Sequence, residues 1–434
     1  MSGVPLMLSS GPRELIRPLA DRNIRLLWGA QLTSELGDWS ARIALAVLVY
    51  SRTHSALATG LVTTASVLPY ALLGTVLAAM ADRHPRRTVM VIADVVRAVL
   101  YGLIALPGVP TAVLLGAALV AGMATPPFEA ARSAVRVELV ADDRALGSVS
   151  ALYAMTSQFG VALGFLCGGG LTAILGANTT LGLNAGSFLL SAALISRLRG
   201  ARDRSAPEAS AREHLSAGAR ALWGDPLLRR CLLLGVVAAL AGTVPESLGA
   251  VYARGSAGHA GVLLAAGPIA MIVVSPWLPT VGDHARLVRI ASGVLLAGAL
   301  VGLIGFTFGT FFPLALVGWA GAGIGFAVVV PAGPVVARRL PAEGRAAAFG
   351  LLQSAMLGGY CVAGAAGGAV AGVIGVLPTC VAVSCLAIAV GGYMTLVRVE
   401  PAGDGAVVET EPATEIDIRE LPAPEPVLVL ADGA

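Results

Sequence analysis

The chain has 434 residues, 56% of them hydrophobic and only 13% charged, with a mean hydropathy of +0.81. A water-soluble domain carries about 25% charged residues, so a protein whose surface mostly meets water is excluded. The net charge of +3 comes from 29 basic residues, all of them Arg, against 26 acidic ones.

A membrane helix needs about 20 apolar residues. Stretches of that kind predict twelve spans, at about 24–50, 58–80, 88–107, 111–128, 147–175, 178–197, 228–251, 258–280, 287–306, 310–337, 346–374 and 376–397. Arg13, Arg17, Arg22 and Arg25 cluster around the start of the first span, and no small-residue cleavage site follows an apolar core. A retained, cytoplasmic N-terminal segment, 1–23, is expected. The even-numbered loops then hold Arg83, Arg86 and Arg87; Arg132, Arg136 and Arg144; Arg286 and Arg289; and Arg338, Arg339 and Arg345. Only Arg52 and Arg254 fall on the other side. Arg bias of this kind sets orientation, which places both termini in the cytoplasm and makes a nucleic-acid role unnecessary to explain the basic loops.

Two six-span bundles, 24–197 and 228–398, are joined by a hydrophilic linker at 198–227. A shift of 201 residues superposes one on the other: Asp82 falls on Asp283, Ala154-Met155 on Ala355-Met356, and Arg197 on Arg398. A constant offset without gaps implies a parallel duplication, the construction of secondary transporters whose substrate site lies near the midplane. Residues 399–434 carry nine acidic side chains and several Pro against one Arg, a composition expected to form a disordered cytoplasmic tail.

Polar groups inside apolar spans mark ion pathways. Span one carries Gln31, Glu35, Asp38 and Arg42 at steps of four, three and four, on one helix face. A charge at the bilayer centre costs about 2.5–3.5 kcal/mol on insertion scales. Two readings fit: a carboxyl that exchanges protons as its Arg partner comes and goes, or a permanent Asp38–Arg42 pair that only orders the span. Asp94, with Arg97 one turn on, reads as a pair within span three. Glu246 follows Pro245 near the outer end of span seven and is a candidate cavity residue. Trp39, Tyr153, Gln158, Asn184, Gln353 and Tyr360 are candidate substrate contacts, although each alone is more often helix–helix glue or an interface anchor. The five Cys have neither metal nor disulfide spacing, and no phosphate loop, metal cluster or nucleophile triad is visible, so no cofactor and no enzymatic activity are expected.

The loop after span two reads Ala78-Ala-Met-Ala-Asp82-Arg83-His-Pro-Arg86-Arg87. It resembles the major facilitator superfamily pattern Gly-x-x-Ala-Asp-Arg-x-x-Arg-Arg, with Ala78 where the pattern has Gly. Arg22-Asn23-x-Arg25, Gly37-Asp38-Trp39, Ser55-Ala-x-Ala-x-Gly60 and Leu68-Pro69 look like the drug- and siderophore-exporter branch that includes the enterobactin exporter and macrolide efflux proteins. Over residues 20–398 the resemblance implies an all-α fold of twelve transmembrane helices in two six-helix bundles. It also implies a cytoplasmic latch built from Asp82, Arg83, Arg86 and Arg87, to which Asp94, Arg97 and Glu129 are added, Glu129 as the partner of Arg83 or Arg87. The latch competes with a reading in which the Arg residues set topology alone.

Span five carries Gly160, Gly164, Gly168, Gly169 and Gly170, where the family's antiporters have Gly-Pro-x-x-Gly-Gly; Phe165 stands at the Pro. Gly164, Gly168 and Gly169 are expected to permit close packing. The expectation is a monomeric exporter in a bacterial cytoplasmic membrane, moving a small amphipathic compound against protons. The alternatives are an importer of a small metabolite, or a transporter-like sensor or assembly protein that works through its acidic tail. Deleting residues 399–434 separates the last from the others: an exporter keeps its substrate flux in a cell accumulation assay, whereas a tail-driven sensor loses its output.

Overall fold

The computed structural model describes residues 17–81, 84–140, 143–198, 223–340 and 345–397. Asp82, Arg83, the side chain of Ala78, residues 199–222 of the linker and the acidic tail lie outside the described residues. The first half is built from α1 (Arg22–Thr53), α2 (Ala56–Ala81), α3 (Arg86–Ile104), α4 (Thr111–Met123), α5 (Thr125–Glu138), α6 (Asp143–Leu175) and α7 (Ala177–Ile195). The second half contains α8 (Pro226–Tyr252), α9 (Ala257–Val274), α10 (His284–Thr307), α11 (Phe312–Phe326), α12 (Val329–Arg339), α13 (Arg345–Ile374) and α14 (Val376–Leu396).

Among the described residues nine segments are long and apolar enough to cross a membrane, with α4–α5 and α11–α12 each forming one of them. The remaining three crossings are α1, α3 and α7. They fall short in apolarity because α1 and α3 hold the charged side chains and α7 holds Asn178 and Asn184. The expected twelve crossings are therefore reached, and the three least apolar are those that carry polar cargo.

Local chemistry explains where the helices start and stop. Asp21 caps α1 by accepting from the Asn23 and Ile24 amides, and Asp225 caps α8 through Leu227 and Leu228. α4 and α5 are separate because Pro126 and Pro127 lack amide hydrogens and their rings crowd the carbonyls four residues back. Pro331 breaks α11 from α12 in the same way. The hydropathy pattern ends span four at 128; the helix instead resumes after the break and runs to Glu138. Arg132 and Arg136, expected in a loop, thus stand on α5.

The 201-residue step seen in sequence recurs in the helix boundaries. It relates Ala56 to Ala257, Thr111 to Phe312, Glu138 to Arg339 and Ile195 to Leu396. Each half also has a one-residue glycine turn, Gly176 between α6 and α7 and, 199 residues on, Gly375 between α13 and α14, with φ of 82° and 91°, a backbone state that favours glycine.

Among the described residues, contacts between the two halves gather at one end. At the end remote from most of the Arg residues, Gly60 of α2 abuts the Gly364 backbone of α13, and Gly368 abuts Ala56 and Leu57. Thr64 donates to the Cys361 carbonyl at 3.0 Å. On the other flank Gly169 of α6 lies against Gly261 and Ala257 of α9. Side chains at these positions would force the backbones apart. Buried clusters joining both halves also sit here: Ile43, Ala56 and Phe165 with Val244, Leu248 and Leu263, and Val47 with Ala250, Ala257 and Ala260. Toward the Arg-rich end the clusters belong to one half each, Leu27, Met90, Phe128 and Val135 in the first and Met271, Val294 and Ala327 in the second.

Ion pairs at the Arg-rich end follow the same division. Arg86 pairs with Glu138, and Arg87 donates to the Ser196 carbonyl, within the first half; Arg339 pairs with Asp225 at 2.9 Å within the second. Gly364→Val should insert a branched side chain at the α2–α13 contact and weaken it by about 1–3 kcal/mol. The expected result is a longer distance between spin labels at Thr53 and Ile374; an unchanged distance would show that this contact does not hold the halves together.

Candidate functional site

The first half concentrates charge on α1, α3 and α5. The residues spaced along one face of α1 meet different neighbours. Nearest the closed end, Arg42 reaches across the interface to Glu246 of α8, Nη1 to Oε1 at 3.4 Å. Its guanidinium also lies over the Trp39 ring, 4.3 Å from the centroid, a cation–π contact. Trp39 is fixed from behind by Phe165, edge to face at 5.1 Å, and its Cβ fills the place that a side chain on Gly164 would take. Gly168 likewise admits the backbone of Ser40, which donates to the Gly164 carbonyl at 3.1 Å.

One turn toward the Arg-rich end, Asp38 faces Arg97 of α3 at 3.8 Å. Arg97 is 4% exposed and lies between the rings of Phe128 and Phe188, 4.4 Å from each centroid. It binds Asp94 at 2.5 Å, and Asp94 is fully buried. A lone charge buried this deeply costs several kcal/mol; two carboxylates and two aromatic faces offset that for Arg97. Asn184 of α7, 2% exposed, faces the Asp38 carboxylate and sits against Gly37 of α1.

A further turn along, Gln31 donates to Glu35 at 2.8 Å. Nearby on α5, Glu129 and Arg132 form an ion pair. Asp38 and Glu129 keep 36% and 32% of their side-chain surface, although α1 is packed on several sides. The described contacts between the halves lie on the Arg42 side of both.

Several pairings inferred from spacing give way to others. Spacing pairs Asp38 with Arg42, four residues on; the long Arg42 side chain instead crosses to Glu246, and Asp38 turns to Arg97. Asp94 and Arg97 do form their pair, but buried in the bundle and joined to Asp38, so they do not belong with the loop arginines of the latch. The expected partner of Glu129 is Arg83 or Arg87; the observed one is Arg132, one helical turn on, and Arg87 is taken by the Ser196 carbonyl.

The remaining residues scatter. Tyr153 is 2% exposed, under the Arg136 guanidinium at 5.2 Å. Tyr360 stands edge-on to Phe326 at 6.4 Å, Gln158 is half-buried, and Gln353 is exposed. Sequence reasoning missed Arg132, Phe128 and Phe188. The signal for Arg132 was Glu129-x-x-Arg132 at helical spacing just after Pro126-Pro127. The two Phe residues had no signal beyond their apolarity. A surface cavity of about 830 Å³ lies at the closed end, lined by Ser51, Thr172, Asn178, Ser256, His259 and Phe312 among others; none of the carboxylates reaches it.

A twelve-crossing helical protein with internal duplication, buried charge in one bundle and an ion pair to the other has the architecture of a membrane transporter. The sequence profile of the Major Facilitator Superfamily matches residues 27–307, and the chain belongs to that superfamily. A search of curated protein sequences finds no match. Among solved structures, a point mutant of the nucleoside transporter NupG is similar, with a TM-score of 0.70 and 13% identity over 86% of this chain and 99% of that one. A POT family transporter in complex with a thioalcohol-conjugated peptide gives 0.68 and 12%, over 86% and 95%. A bacterial homolog of the human lysosomal transporter Spinster, inward-facing and unoccupied, gives 0.57 and 16%, over 88% and 99%. At these identities the likeness concerns the fold. The protein is thus a multi-pass membrane transporter of the major facilitator type.

Arg97→Ala should leave Asp94 and Asp38 without their shared cation and destabilise the protein by about 3–5 kcal/mol. Thermal unfolding in detergent should show the loss, and the neutral pair Asp94→Asn with Arg97→Gln should recover most of it. A single mutant as stable as the wild type would mean that the cluster is not structural.

Proposed function

We propose that the protein is a proton-coupled secondary exporter of a small amphipathic compound, working by alternating access in a bacterial cytoplasmic membrane. Its Arg-rich end faces the cytoplasm in this reading, following the bias that orients membrane helices, so the halves are closed outside and separated inside. The observation that carries the proposal is the line of charge along α1, which runs from Glu35, on the side where the halves part, to the Arg42–Glu246 bridge that ties them together.

Opening the outer end separates α2 from α13 and α6 from α9, and stretches the Arg42–Glu246 bridge. A proton on Glu246 removes the charge that holds Arg42, and a proton on Asp38 loosens its hold on Arg97. Carboxyls that gain and lose arginine partners in a conformational cycle take up and release protons. Return of each proton to the cytoplasm supplies about 2.3 kcal/mol per 100 mV of membrane potential. Asp82, Arg83, Arg86 and Arg87 are proposed to close the cytoplasmic side in the opposite state, and Trp39, Gln158 and Tyr360 to line the path. The glycines at 164, 168 and 169 hold α6 close against α1 and α9.

Reconstituted vesicles test the proposal directly. An imposed pH gradient should drive export, and a protonophore should abolish it. Asp38→Asn and Glu246→Gln should each lower gradient-driven flux at least tenfold while leaving membrane insertion intact. Asp82→Asn should lower flux as well. Full gradient-driven flux in both Asp38→Asn and Glu246→Gln would remove the coupling role.

A further inference from the structure

The charge in this transporter is unevenly divided between its duplicated halves. The 201-residue step places Val236 where the first half has Glu35, Ala239 for Asp38, Leu295 for Asp94, Gly298 for Arg97, Val330 for Glu129 and Gly333 for Arg132. At these positions the second half is apolar where the first is charged, and Glu246, elsewhere on α8, engages Arg42. In the first half Glu35, Asp38, Asp94 and Glu129 share Arg97 and Arg132, each of which stands among two carboxylates, while Arg136 covers the Tyr153 ring.

The imbalance is sharpest at Glu35. Gln31 is 2% exposed. Its Nε2 donates to Glu35 Oε1 at 2.8 Å and reaches the Tyr153 carbonyl at 3.5 Å. Both neighbours are acceptors, so the amide orientation is fixed and Oε1 must point elsewhere. Among the described residues Gln31 Oε1 and Glu35 Oε2 are both buried without a hydrogen-bond partner. Ser157 and Arg132 lie beside the Glu35 carboxylate, but Arg132 is engaged by Glu129 and neither closes on Oε2. Gly160 of α6 is the residue packed against that oxygen; a Cβ there would stand 3.0 Å from it. Two adjacent buried acceptors, one of them anionic, cost free energy until donors reach them, and a group with several N–H donors and a positive charge satisfies both.

We infer that the transported compound carries a protonated amine or amidine, which binds in the first half with its N–H groups on Glu35 Oε2 and Gln31 Oε1 while its apolar body lies toward the apolar positions of the second half. This rests on the transporter reading above and names the substrate class for it.

The test uses the full chain in lipid nanodiscs at constant pH, with dansylcadaverine, a fluorescent amphipath bearing one primary ammonium, and its N-acetylated, uncharged derivative. Fluorescence anisotropy should show the ammonium form binding at least tenfold more tightly. Glu35→Gln should erase that preference, Gly160→Val should weaken binding of the charged probe by crowding Glu35 Oε2, and Glu35→Asp, which keeps the charge, should retain part of the preference and report that the fold survives. Equal binding of the two probes, no binding of either, or a preference that persists in Glu35→Gln would overturn the inference. Failure of gradient-driven export with the charge preference intact would instead count against proton coupling, and gradient-driven export of uncharged compounds only would remove the amine site while leaving the exporter standing.

Discussion

Five carboxylates and three guanidinium groups are held among helices that lipid surrounds, and the rest of the architecture follows from keeping them solvated by one another. Arg97 shows the requirement most clearly. It is fully enclosed, and its charge is met by Asp94 on its own helix, by Asp38 on α1, and by the faces of Phe128 and Phe188. Removing Arg97 leaves two carboxylates that the bilayer cannot hydrate. The first half is therefore stiffened by a polar core that packing alone could not supply, whereas the second half packs backbone to backbone. There Gly298, Gly302 and Gly305 of α10 nest against Gly325, Gly321 and Gly318 of α11.

The contrast gives the two halves different work despite their common origin. In the proposed cycle, charge exchange takes place on one bundle, and the other answers through a single carboxylate, Glu246. That lone residue stands on the glycine-contacted, closed side of the molecule. Its bridge to Arg42 is the described ion pair that joins the halves, which is why the proposed cycle turns on a proton there.

Much of this was legible in the sequence, for identifiable reasons. Apolar length located the crossings, because a membrane imposes a fixed minimum on each. The duplication was legible because Asp, Arg and Met matches at a constant offset are improbable in a chain so rich in Ala and Gly. The face shared by Gln31, Glu35, Asp38 and Arg42 followed from helical spacing alone. What the sequence could not supply was the partner of each charge. Spacing reports neighbours on one helix, so it favours Asp38 with Arg42; the actual choice depends on how α3 and α8 lie against α1, which is set by packing far along the chain. The pairing of Glu129 with Arg132 escapes for a related reason. The Pro126-Pro127 break looks like the end of a span, although the chain continues as α5 and carries both side chains into the bundle. Tyr153 and Asn184 read as cavity polar groups, yet both are enclosed between helices, a distinction that residue type cannot make.

The one-residue turns at Gly176 and Gly375 limit how such a molecule can move. A helix pair joined by a single residue has no slack, so α6 cannot travel lengthwise past α7, nor α13 past α14. Each hairpin can only swing as a stiff paddle. The two paddles contain the glycine seams to the opposite half, α6 to α9 and α13 to α2, and so any displacement begun at one lipid-facing edge of the molecule is delivered to the seam as a rotation rather than absorbed as a stretch.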